Sequence, residues 1–176
     1  MKVKLVISII LLALGGTSGM AQSKTSDSND VCYRWRTQVD PSTQRIVIDE
    51  SVLSDLEVEE GIGCLLELKG LKGKARFQGD TRANYNKSEQ YRPHKKSASI
   101  EIAALYYASY LFENNWEHAD AVVLVDDVTG KTNTNALVER AYKSYQAWFT
   151  KVVRMGLKRS RERNLDPLKG SGVRWL

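Results

Sequence analysis

Three stretches of the chain carry apolar residues at helical spacing, and they predict a mainly α-helical fold. In the first stretch the apolar positions recur every three or four residues, as on a helix with one face against a core. These positions are Val58, Ile62, Leu65 and Leu66. Ser54 followed three positions later by Glu57 is a capping box. We therefore predict a first helix near 55–69 that ends before Gly70.

Two glycines lie inside this predicted helix. Glycine there is about 1 kcal/mol less favourable than alanine, and Gly61 and Gly63 both occupy such positions. We expect interior glycines where a neighbouring backbone approaches closely, so the pair indicates tight packing.

The second and third stretches predict two longer helices. The stretch near 98–115 is apolar nearly all the way round, which is typical of a helix covered on most sides. The stretch near 133–163 has one apolar face and a basic end, which suits the negative end of a helix dipole. We predict a three-helix core, packed around the middle helix.

Two short segments have strand-like patterns. The β-branched run Ile46-Val47-Ile48 follows the turn sequence Asp40-Pro41-Ser42-Thr43. This predicts a small N-terminal β hairpin over about 32–48, with an irregular extended arm as the alternative. The apolar run 121–125 stays open, because periodicity alone does not separate a strand from a helical segment.

The first 21 residues have the pattern of a secretory signal peptide. Lys2 and Lys4 precede a ten-residue hydrophobic run, and small residues follow up to Ala21. The run is too short for a membrane-spanning helix. We predict cleavage near Ala21 and export to the periplasm or the extracellular space. Residues 22–30 are small and polar and predict a disordered lead-in, which leaves 31–176 as a single mainly helical domain.

Charge and hydropathy narrow the classes of partner. The formal net charge is +5, and removal of the leader takes away Lys2 and Lys4. This mild excess, without a dominating block of like charge, does not predict a nucleic-acid binder. No later apolar run approaches transmembrane length, so we predict no membrane span in the mature chain. The oligomeric state is left open.

The chain contains two cysteines, Cys32 and Cys64. An even number of cysteines in an oxidising compartment favours pairing. We predict a disulfide that ties the N-terminal β element to the first helix and stabilises the fold by roughly 3–4 kcal/mol. The alternative is a buried free thiol at Cys64, which lies within the apolar helical face.

A nucleotide-binding motif is not supported. Gly130-Lys131-Thr132 follows two carboxylates, but Val125 stands where a phosphate-binding loop needs its first glycine. Asp126 to Gly130 instead predicts a polar turn.

Weak candidates for catalysis gather after the second predicted helix. Glu117, His118 and Asp120 are groups that perform acid–base chemistry or bind metals. Ordinary side-chain pairing at a helix end is the alternative. Neither His94 nor His118 has partners at zinc-motif spacing, so we predict no metal site and no cofactor.

Aromatic and basic side chains are the main candidates for recognition. Tyrosine and tryptophan combine a large apolar surface with a polar tip, which suits interfaces; core packing is the alternative. The basic end of the last helix suits an acidic protein, anionic lipid or cell-wall polymer; a solvated face is the alternative. The candidate binding residues are Tyr106, Tyr110, Trp116, Tyr142, Trp148, Arg159 and Arg161.

These patterns favour an exported, non-enzymatic binding protein that recognises a protein or an envelope component. A special case is an inhibitor or immunity-type protein that neutralises a toxin. The alternative from another class is an envelope hydrolase that uses the residues near His118. No catalytic signature supports an enzyme, and none of these patterns identifies a ligand.

Overall fold

The computed structural model describes residues 30–76, 98–114 and 122–176, and the structural statements below concern these residues. Of the predicted leader and lead-in, only Asp30 lies among them. The helices are α1 (Tyr33–Val39), α2 (Asp55–Leu66), α3 (Ile100–Glu113), α4 (Asn135–Met155) and α5 (Leu157–Glu162). A 3-10 turn spans Glu50–Val52, and the strands are β1 (Leu124–Asp126) and β2 (Val173–Trp175).

The mainly α-helical fold class is confirmed. The three longest helices, α2, α3 and α4, lie where the three apolar stretches predict helices. The capping box that begins α2 is also present: the Ser54 hydroxyl accepts from the Glu57 amide at 3.3 Å, and the Glu57 carboxylate accepts from the Ser54 amide at 3.0 Å. Local sequence therefore determines where α2 begins.

α3 forms the centre of the core, as its apolar composition predicts. Every residue from Ile100 to Phe112 is buried. Even the carboxylate of Glu101 is buried, and it accepts from the Gly70 amide at 2.9 Å and pairs with Lys72. A buried carboxylate is stable only when it is paired in this way. α2 and α4 both contact α3 and complete the core.

The predicted N-terminal hairpin is wrong, because Tyr33–Val39 form α1. Trp35 and Val39 are four residues apart, so they share one face of a helix, and both are fully buried. The chain after α1 fits the alternative of an irregular extended arm: residues 44–49 contain no helix, turn or bend, and Asp49 at its end has an extended backbone.

The small β element is formed at the other end of the chain. β1 pairs with β2 in antiparallel register, with Val125 opposite Arg174. The sequence left open whether 121–125 form a strand or a helical segment, and the structure shows a strand from Leu124 onward. Position 121 lies outside the described residues. The polar turn after β1 is confirmed, since the Asp126 carboxylate accepts from the amides of Val128 at 3.0 Å and Thr129 at 2.7 Å.

The last predicted helix is interrupted. α4 ends at Met155, and Gly156 has a φ of +84°. This left-handed region favours glycine, and it redirects the chain so that α5 begins at Leu157, whose side chain is buried. A single helix to position 163 was therefore too long a prediction.

The disulfide between Cys32 and Cys64 is confirmed, with the two Cα atoms 5.1 Å apart. It joins the start of α1 to α2, and not a β element to α2. None of the described helices is long and apolar enough to cross a membrane.

Candidate functional site

Four predicted binding residues lie in the core. The exposed fractions of Tyr106, Tyr110, Tyr142 and Trp148 are 2%, 7%, 0% and 4%. An exposed recognition patch built from these aromatics is therefore wrong, and core packing explains them. The fifth aromatic candidate, Trp116, lies outside the described residues.

The polar tips of the buried tyrosines are satisfied inside the protein. Tyr107 and Tyr110 donate to the two carboxylate oxygens of Glu50 at 2.6 and 2.9 Å. Tyr142 donates to the carbonyl of Glu101 at 2.9 Å. These internal hydrogen bonds allow a helix rich in tyrosine to be buried.

A cleft of about 620 Å³ lies between the C-terminal end of α3, α5 and the last residues of the chain. Its apolar wall includes Phe112, Leu165 and Trp175. Its polar wall includes Ser109, Glu113, Arg161, Asn164, Asp166 and Arg174. An apolar surface with a few converging polar groups is the usual character of a binding site.

Three polar side chains are linked beneath this cleft. The indole N–H of Trp175 donates to the Tyr145 hydroxyl at 3.1 Å, and the Tyr145 hydroxyl is hydrogen-bonded to Ser109. Burial raises the pKa of the Tyr145 hydroxyl. A tyrosine that keeps its proton does not act as a base toward Ser109, so this link gives structure to the cleft and does not activate a nucleophile.

The Arg161 side chain lies at the border of the cleft. Its Nε donates to the carbonyl of Phe112 at 2.5 Å, and its Nη2 donates to the carbonyl of Leu111 at 3.0 Å. Both carbonyls lie in the last turn of α3, where the helix itself offers no donor, so the guanidinium caps that helix. Arg161 also lies 3.8 Å from Asp55. This predicted binding residue is therefore held in place by the fold.

Five basic side chains lie near one another in the chain, on either side of the junction of α4 and α5. We call this set the basic surface; its members are Lys151, Arg154, Lys158, Arg159 and Arg163. All five are exposed, and the structure shows no ion pair between them and any described acidic residue. Val153, on the same turn, is 54% exposed. Arg159 is exposed, and its role as a binding residue stays a prediction.

Two cations elsewhere in the structure are paired with carboxylates. Lys69 pairs with Glu139 at 2.6 Å, and Arg174 pairs with Asp127 at 3.4 Å. The five cations of the basic surface are not paired in this way with described side chains, and neither are the exposed Lys131 and Lys143. Position along the sequence alone does not show this difference.

The predicted catalytic candidates Glu117, His118 and Asp120 lie outside the described residues. Within residues 30–76, 98–114 and 122–176, no three side chains of His, Cys, Asp or Glu lie close enough to hold a metal ion.

No protein-family model, curated protein or solved structure matches this chain.

Proposed function

We propose that this chain is an exported, non-enzymatic binding protein that recognises an acidic protein surface outside the cytoplasm. Recognition uses the basic surface together with the cleft. The single observation that carries the proposal is the set of five exposed cations, Lys151, Arg154, Lys158, Arg159 and Arg163, without described acidic partners.

The composition of the basic surface favours a protein partner. Three of its five cations are arginines, whose planar guanidinium groups bind carboxylates through two parallel hydrogen bonds. The exposed Val153 supplies an apolar contact among them. A mixture of arginine with isolated apolar groups is typical of protein interfaces.

The cleft supports the same proposal because one of its lining residues is close in the chain to members of the basic surface. Arg161 lines the cleft and lies between Arg159 and Arg163 in the chain. An apolar side chain of the partner would enter against Phe112 and Trp175, while acidic groups around it would face the cations. A buried anchor within a charged rim is how many interfaces combine affinity with specificity.

A matched pair of variants tests the proposal. In the first, Arg154→Glu and Arg159→Glu reverse two charges on the basic surface. In the control, Lys74→Glu and Lys131→Glu make the same change of net charge at exposed positions elsewhere. Each protein is used to capture partners from an envelope extract, and captured partners are then purified and titrated.

We expect an acidic protein that binds the wild type and the control equally. The Arg154→Glu, Arg159→Glu variant is expected to bind this partner at least about tenfold more weakly than the wild type does. Binding by the wild type is expected to weaken as the salt concentration rises. Equal binding by both variants overturns the proposal. So does binding to anionic lipid vesicles in place of any protein. Mass spectrometry of the natural protein tests export separately, since a mature N-terminus near Gln22 is expected.

A further inference from the structure

One edge of the extended arm, residues 44–49, is held by α1. The amide of Ile46 donates to the Thr37 hydroxyl at 3.2 Å, and the carbonyl of Ile46 accepts from the Gln38 side chain at 2.7 Å. Thr37 and Gln38 are 0% and 5% exposed. Two buried side chains of α1 therefore hydrogen-bond to the backbone of Ile46.

The other edge of the arm points away from α1. Along an extended chain, the amide and carbonyl of successive residues alternate between the two edges. The amide and carbonyl of Ile46 face α1, so in an extended arm those of Arg45 and Val47 face the opposite side. No hydrogen bond from the described residues reaches the backbone of Arg45 or Val47. An extended segment with unpaired amides and carbonyls is a template for another strand.

The side chains of the arm follow the same alternation. Ile48 is partly buried and packs against the core, whereas Val47 is 88% exposed. A β-branched residue is favoured in strands. The arm thus presents both a backbone edge and an exposed apolar side chain.

The sequence of the arm is complementary to itself. In an antiparallel pairing centred on Val47, Val47 lies opposite Val47 of a second copy. Arg45 then lies opposite Asp49 of the second copy, and Asp49 lies opposite Arg45. The Oδ1 of Asp49 accepts from the amide and hydroxyl of Ser51 at 3.1 and 2.6 Å, which leaves Oδ2 to face the arginine. Directly opposed residues of opposite charge stabilise such a pair, and like charges destabilise it.

We infer that the arm pairs with the arm of a second copy of this chain, in antiparallel register about a twofold axis at Val47. Such an interface is isologous, because the same surface serves both partners. A pairing of residues 45–49 buries less than the roughly 1,200 Å² of a stable interface. The dimer is therefore weak and concentration-dependent.

Sedimentation equilibrium of the purified protein over a wide concentration range measures this association. Val47→Pro removes the central amide, and Val47→Lys places two like charges opposite each other. Val128→Lys is the matched control, because Val128 is a 90% exposed valine in the turn after β1. We expect the wild type and Val128→Lys to dimerise, and both Val47 variants to remain monomeric with unchanged circular dichroism.

A charge exchange tests the register. Arg45→Asp alone places two acidic pairs across the axis, and Asp49→Arg alone places two basic pairs there. Asp49→Arg also removes the acceptor of the Ser51 hydrogen bonds, so its circular dichroism is compared with that of the wild type. We expect each variant to associate at least about tenfold more weakly than the wild type. A mixture of the two restores both opposite-charge pairs, so a heterodimer is expected to form.

Several results would overturn the inference. A wild type that stays monomeric at the highest soluble concentration excludes the dimer. A dimer that persists in both Val47 variants assigns it to another surface. A mixture of the charge variants that associates no better than either alone excludes the register centred on Val47.

Discussion

The indole of Trp35 lies directly on Gly61 of α2. A Cβ at position 61 would come within 2.8 Å of the indole ring, and Trp35 itself is fully buried. The indole N–H also donates to Glu60 at 3.1 Å. Gly61 therefore allows α1 to pack against α2, although the neighbour is a side chain and not the backbone that we expected from sequence.

The clash that Gly61→Ala makes with a fully buried ring is overpacking and costs about 1–3 kcal/mol. The helix propensity of alanine offsets about 1 kcal/mol of this cost, so we expect a net destabilisation of up to about 2 kcal/mol. Gly63→Ala is the control, since its Cβ would lie 3.4 Å from the Phe149 ring, near ordinary contact distance. Urea unfolding measures both. Equal stabilisation by the two variants would show that Trp35 does not pack on Gly61.

The disulfide leads to a second prediction. Cys32 and Cys64 are 32 residues apart in sequence, and closing a loop of that size stabilises a fold by roughly 3–4 kcal/mol. The Cys32→Ala, Cys64→Ala double variant is expected to lose about that amount in urea unfolding. Reductant should lower the stability of the wild type and leave the double variant unchanged. Two titratable thiols in unreduced, unfolded protein would contradict the bridge.

A third prediction concerns Asp126 in the turn after β1, which is expected to make the stability of the fold depend on pH in the acidic range. The Thr129 amide and the Arg140 guanidinium lower the pKa of the Asp126 carboxyl from its ordinary value of 3.8. A carboxyl whose pKa is lower when folded stabilises the fold above the unfolded value, and this contribution is lost as pH falls through the folded pKa. Asp126→Asn is therefore expected to have a lower Tm at neutral pH and a shallower loss of Tm below about pH 4.

Thermal unfolding from neutral pH to about pH 2 checks this expectation. Arg140→Gln removes the ion pair and keeps the hydrogen bonds from Val128 and Thr129. Arg140→Gln should lower Tm at neutral pH as Asp126→Asn does, but by a smaller amount. If Tm of Asp126→Asn parallels that of the wild type over the whole range, Asp126 does not cause the acid sensitivity.

The hydroxyl of Tyr145 is expected to stabilise the floor of the cleft. Tyr145→Phe leaves the Trp175 N–H and the Ser109 hydroxyl without their shared partner. Loss of buried hydrogen bonds of this kind costs about 1–3 kcal/mol. Tyr33→Phe is the control, because the half-buried Tyr33 hydroxyl makes no hydrogen bond with the described residues. Urea unfolding with tryptophan fluorescence compares the two, and equal stability would refute the role of Tyr145.

Local sequence predicted the helical core well. The Ser54–Glu57 capping box and the spacing of Val58, Ile62 and Leu65 depend on residues within a few turns of each other, so they are visible in the chain itself. The apolar character of α3 likewise predicted its central position. The paired cysteines predicted the bridge.

Long-range contacts explain the errors in the fold. Whether Tyr33–Val39 form a helix or a strand depends on where Trp35 is buried, and that site is provided by Gly61 of α2. β1 is a strand because Val173–Trp175, almost fifty residues later in the chain, pair with it. Neither the contact of Trp35 with Gly61 nor the pairing of β1 with β2 can be predicted from residues that are close together in the sequence.

The sequence by itself determined the helical class, the start of α2 and the pairing of Cys32 with Cys64. Only the tertiary structure decided which side chains face solvent. Tyr106, Tyr142 and Trp148 are suited to an interface and to a core alike, because each has a large apolar surface and a polar tip. Internal partners such as the Glu101 carbonyl for Tyr142 make burial favourable. The Arg159 side chain is exposed, and no described carboxylate lies near enough to form an ion pair with it.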